Sequence, residues 1–233
     1  MTVGTGQRSP LKRRINWYGY ATLQPLTILT VRATRTAPLA VAAAAALLLS
    51  GGPALAGGLE MTDVALLMRS GAVLLALGSA FILDDPAART TEVVPVPRWL
   101  PRALRAALAV LVTGAAWGGV VALGTLATTP AERPLLPAGG MTLEALALLA
   151  LALALAALGL RLTPGSGGAL AAPGMVLCVL AAVLLPLPDS AQPFAQPLSP
   201  GWDTSRWTWT VLLCATTATA AILCREPSAK RHG

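Results

Sequence analysis

Six long apolar runs constrain this chain more than any other feature. They fall at about 37–57, 62–83, 103–127, 143–161, 169–187 and 207–224. A bilayer's hydrocarbon core is about 30 Å thick, and a helix needs roughly 20 predominantly apolar residues to cross it. Each run is close to that length. Inside hydrocarbon the backbone must satisfy its own hydrogen bonds, which leaves helices or closed barrels. The fourth run, LEALALLALALALAALGL, alternates Leu and Ala with the period of a strand, but its length decides for a helix. The sequence thus predicts an all-α integral membrane bundle of six transmembrane helices over 37–224. A basic N-terminal segment, 1–36, precedes it and a short tail, 225–233, follows.

Charge supports this reading and orients it. Only 12% of residues are charged, against about 25% in soluble domains. Fourteen of the 17 basic residues fall on one side of the alternating topology. They are Arg8, Lys12, Arg13, Arg14, Arg32 and Arg35 before the first run, Arg89, Arg98, Arg102 and Arg105 between the second and third, Arg161 after the fourth, and Arg225, Lys230 and Arg231 in the tail. The side rich in Lys and Arg is the cytoplasmic one, so both termini are expected there, in a multi-pass protein of a bacterial cell membrane. The net charge of +7 is accounted for by orientation. No basic patch with interleaved aromatics remains to suggest nucleic acid. Cys178, Cys214 and Cys224 lie in or at the ends of apolar runs and read as small buried hydrophobes. The only histidine is His232, which excludes a His/Cys metal site.

Within the runs, several features leave two readings open. Gly51, Gly52 and Pro53 interrupt the first run, and ALA at 54–56 resembles a signal-peptide cleavage site. About 22 residues separate Arg14 from the run, which favours a retained helix. Gly114 and Gly118 form a GxxxG on the third run, and Ala72, Ala76 and Ala80 a small-residue stripe on the second. Both permit close helix approach, within the bundle or between protomers. Trp99, Trp202, Trp207 and Trp209 fall near span ends, as interfacial anchors do.

Charge is concentrated between the second and third runs. Asp85 followed by Pro86 reads as a helix start, with a capping acceptor and then a proline in the first turn. PAARTTE would form a helix of one or two turns, stopped by Pro95 and Pro97. Arg98, Arg102 and Arg105 follow at helical spacing, behind Pro101. The simple reading is topology: the arginines hold the loop inside and Asp84 and Asp85 end a span. The other is a docking element for a cytoplasmic partner. The segment 15–35 carries Trp17, Tyr18 and Tyr20 between basic residues, and is expected to lie in the membrane interface or to be a basic tail.

Ion-coupled transporters place ionisable groups near the midplane. Glu60, Asp63, Glu132, Glu144, Asp189 and Asp203 are expected at or outside span ends, which leaves Arg69 as the ionisable group well inside a run. It either snorkels outward toward Asp63 or faces a cavity or an anionic group. Ser70, Ser79, Thr113, Thr216, Thr217 and Thr219 are the milder polar residues inside. No P-loop motif occurs, and the lysines are Lys12 and Lys230 alone. Uphill transport would therefore need a separate ATPase acting on the cytoplasmic surface.

A basic N-terminus, six spans with both ends inside and a short helix between spans two and three resemble the permease subunit of an ABC-2-type exporter. FILDDPAARTTEVVPVPRWLPRALR resembles the corresponding loop of small actinobacterial ABC transporter permeases. The resemblance implies a loop that docks on a P-loop ATPase subunit and a dimer with a second permease copy or a paralogue. It also implies ATP and Mg in the partner with no cofactor in this chain, and a transport subunit that is not itself an enzyme. Asp84, Asp85, Pro86, Arg89 and Glu92 would then be docking residues. Arg98, Trp99, Arg102 and Arg105 would brace the loop or meet lipid headgroups. Arg69, Gly114 and Gly118 would belong to a pathway or to helix packing. The segment 186–207 would bear on release at the outer side, though it is richer in proline than the family's element. A non-transporting membrane scaffold, assembly factor or immunity protein shares the topology and the charged loop.

Overall fold

The computed structural model describes residues 36–84, 99–163, 167–185, 187–188 and 192–224. Among these it contains six α-helices, one 3-10 turn and no strands. The helices are α1 (Ala37–Ala56), α2 (Met61–Ala80), α3 (Trp99–Ala127), α4 (Ala138–Leu162), α5 (Gly167–Leu184) and α6 (Trp202–Cys224). The 3-10 turn is Arg133–Leu135. Each helix overlaps one of the six apolar runs. Four of them, α1 to α4, are long and apolar enough to cross a membrane. The apolar part of α5, Ala169–Leu184, is shorter. The first turns of α6 are polar, carrying Asp203, Thr204, Ser205 and Arg206.

The interruption that Gly51, Gly52 and Pro53 make in the first run does not break the helix. Pro53 is inside α1, which continues to Ala56. A proline forfeits only its own hydrogen bond and its clash is with the preceding turn, so the residues after it can still close the helix. The Gly57 N–H does so on the Pro53 carbonyl at 2.9 Å. The chain then turns at Gly57 and Gly58, whose φ values of 69° and 74° lie where residues with a Cβ are strained.

Two helices are central. α2 packs on α1, α3 and α4, while α4 packs on α2, α5 and α6. The stripe of Ala72, Ala76 and Ala80 is buried on the central face of α2, beside Val64, Met68 and Leu75. Between α1 and α2 the backbones meet closely at Gly78. A Cβ there would stand 2.5 Å from the Ala42 Cβ and 3.1 Å from the Pro38 carbonyl oxygen. Gly114 and Gly118 behave differently. A Cβ at either meets nothing within 4 Å, so this GxxxG packs against no other described part of the chain.

At the end where α2, α4 and α6 begin, the connections are tied to one another. The Leu59 N–H donates to the Ala127 carbonyl at 3.0 Å, and the Thr129 N–H donates to the Leu59 carbonyl at 3.2 Å. Glu132 accepts from the Met61 N–H at 2.8 Å and so caps α2 from the connection after α3. Trp202 turns inward, against a prediction of interfacial anchoring. It lies against Gly140, where a Cβ would be 2.5 Å from its ring. Trp209 is also buried, whereas Trp207 is exposed as expected. At the opposite end Arg161 of α4 donates to the Leu223 carbonyl at 2.7 and 3.0 Å and to the Ile222 carbonyl at 3.2 Å. A cation thus meets carbonyls of the last turn of α6.

Candidate functional site

Arg69 and Glu144 form the most polar point of the described interior. Arg69 is the ninth residue of α2 and Glu144 the seventh of α4. At 1.5 Å per residue they lie about 12 and 9 Å inside their helices. Glu144 is therefore not at a span end, as its position near the edge of the fourth run suggested. α4 begins at Ala138, about a turn earlier than that run, and Glu144 is buried.

The arginine fork meets the carboxylate face to face. Nε donates to Glu144 Oε2 at 2.9 Å and one terminal nitrogen donates to Oε1 at 3.0 Å. This bidentate geometry is the strongest form of carboxylate recognition open to arginine. The remaining donors reach the connection before α6, at the Phe194 carbonyl (3.1 Å) and the Ala195 carbonyl (2.6 Å). The Phe194 ring lies over the guanidinium, with Cζ 5.6 Å from its centroid. Of the two readings for Arg69, the geometry selects the anionic partner: the side chain is 13% exposed and held by Glu144.

The same connection is fixed from α6. Trp209 Nε1 donates to the Pro193 carbonyl at 2.7 Å, and the Ser205 hydroxyl donates to that carbonyl too. The Phe194 and Trp209 rings are tilted against each other at 5.2 Å. Residues 193–195 are thereby bonded to α2 through Arg69 and to α6 through Ser205 and Trp209, and Glu144 of α4 joins them through Arg69. What this arrangement does chemically is to hold the connection before α6 on an interior ion pair whose charges are compensated.

The remaining polar side chains are mostly turned onto their own helices. Ser70 donates to the Leu66 carbonyl, Ser79 to Ala76, Thr216 to Leu212 and Thr219 to Ala215. Such back-bonding satisfies a hydroxyl without a partner helix. No group of His, Cys, Asp and Glu suited to a metal ion occurs among the described residues.

The expected docking loop begins at the opposite end. Asp84 closes the described part after α2 and is 5% exposed; Arg105 of α3 is equally buried. Asp85, Pro86, Arg89, Glu92 and Arg98 lie outside the described residues, as does the short helix expected there. The N-terminal segment 1–35 and the tail 225–233 also lie outside them. Trp99 and Arg102 fall in the first turn of α3.

Comparison with known proteins finds no family model, no curated protein and no solved structure that matches this chain.

Proposed function

We propose that this chain is the membrane-spanning permease subunit of an ATP-driven exporter in a bacterial cell membrane. In this reading α5 and α6 complete a six-span topology with both termini cytoplasmic. A separate P-loop ATPase, carrying ATP and Mg, docks on the 84–105 loop, and a second permease copy or paralogue completes the transporter. The chain itself performs no catalysis.

One observation carries the reading. The two ionisable groups well inside the central helices, Arg69 and Glu144, are committed to each other and to two loop carbonyls. A proton- or ion-coupled carrier needs an interior site that exchanges its ion, and this pair is occupied structurally. Energy for uphill movement would then come from outside the chain. The largest cluster of charge flanking the spans, Asp84 to Arg105, is where a partner can deliver it.

The test is a gentle-detergent pull-down of the tagged chain from its native membrane, with mass spectrometry of what accompanies it. A stoichiometric P-loop ATPase supports the proposal. Its absence from an intact preparation points to a non-transporting scaffold or immunity protein. Asp85→Lys is the sharper mutational probe, because Asp84 is buried and its reversal disturbs the end of α2 as well. Asp85→Lys is expected to lower ATPase coupling while leaving membrane insertion intact.

A further inference from the structure

α5 and α6 follow one another in the chain and both pack on α4, yet they barely touch each other. The gap is a cleft of about 240 Å³. Leu148 and Leu151 of α4 form its floor, Val179 and Leu212 stand in its walls, and Phe194 and Trp209 close its end. The side-chain oxygen and nitrogen along it are already engaged, and the Cys178 thiol is only a weak donor. The Thr208 hydroxyl donates to the Thr204 carbonyl at 3.1 Å, and Trp209 Nε1 donates to the Pro193 carbonyl. A buried water needs two to four polar partners, which this cleft does not offer. A charged or strongly polar ligand would lose its hydration without compensation.

The walls continue into an apolar surface. On the same two helices Leu177 is 67% exposed and Val211 57% exposed, as expected of side chains that meet lipid. The volume is below the roughly 300 Å³ at which pockets for drug-sized molecules begin, so the space suits one slender chain. We propose that the cleft holds a single acyl chain of a membrane phospholipid, inserted between α5 and α6 from the surrounding bilayer. The chain end meets Phe194, whose ring separates it from the Arg69 guanidinium. The acyl chain supplies the apolar packing on the other side of that ring. The lipid thus becomes part of what holds the 193–195 connection in place. This inference rests on the part of the proposed function that places α5 and α6 in the bilayer, and not on the docking of an ATPase.

The experiment uses the full chain reconstituted into phosphatidylcholine vesicles that contain a phospholipid with a diazirine near the end of one acyl chain. After irradiation, adducts are mapped by mass spectrometry. Adducts at Leu151, Val179 and Leu212, in addition to the outward Leu177 and Val211, are the expected result. Adducts confined to the outward residues overturn the proposal. Ala182 also lines the cleft, and Ala182→Trp is expected to abolish the cleft adducts while those at Leu177 and Val211 persist. Undiminished cleft adducts in a folded Ala182→Trp protein also overturn it. Should that variant fail to fold, the wild-type map still decides.

Discussion

Helices α1 to α3 approach one another through glycine and alanine, whereas arginine and glutamate join α2 to α4 and to the connection before α6, and tryptophan and serine join that connection to α6. The contrast follows from the solvent. In lipid, apolar surface gains little by leaving hydrocarbon for another helix, so association depends on close packing or on hydrogen bonds. The first half uses close packing, with Gly78 admitting Ala42 and the α1 backbone. The second half uses polar bonds, centred on Arg69, Glu144 and the Pro193 carbonyl. Packing is broken by added volume, and polar bonding is broken by removing one partner.

The largest effect is expected from orphaning a charge. Glu144→Leu leaves Arg69 buried without its carboxylate and should cost about 3–5 kcal/mol. Unfolding of the reconstituted protein, followed by circular dichroism, measures this. The same substitution should expose the 193–195 connection to proteolysis. Gly78→Val comes next: its side chain has to displace Ala42 or the α1 backbone, a strain of about 1–3 kcal/mol. The comparison predicts that Gly78→Val loosens α1 from α2 while leaving the 193–195 connection protected. Trp209→Phe removes one hydrogen bond to the Pro193 carbonyl but keeps a ring beside Phe194, for a loss of about 1 kcal/mol. Gly114→Ala and Gly118→Ala should stay within about 0.5 kcal/mol in the isolated chain, since nothing described packs there. A larger loss that appears only in native membranes would mean that another subunit covers this face of α3.

Much of the frame was legible in sequence because it depends on local composition. All six helices overlap apolar runs, and the Ala72–Ala76–Ala80 stripe faces inward, one of the two uses its spacing left open. The site was only half legible. Arg69 stood out as a cation inside a run, but its partner did not, because the pairing joins residues 75 apart and depends on which faces of α2 and α4 meet. Glu144 was further disguised by the two glycines before it. Gly139 and Gly140 look like the end of a loop, yet they lie in the first turn of α4, where Gly140 makes room for Trp202. The inward turn of Trp202 and Trp209 is not legible in the sequence for a related reason. Tryptophan near a span end ordinarily anchors in the interface, and only the fold brings a glycine and a carbonyl within reach of these two. The GxxxG shows the converse: a pattern with a known use, placed where no other described part of the chain packs against it.

The central claim is that Arg69 and Glu144 act as one unit binding α2, α4 and the connection before α6. A double-mutant cycle tests it most directly, with Arg69→Met, Glu144→Gln and the double variant unfolded under identical conditions in the same lipid. The account predicts a coupling of at least about 1 kcal/mol, within the range for contacting residues, with the double variant less destabilised than the sum of the singles. Additivity within about 0.5 kcal/mol, the behaviour of independent sites, would contradict it.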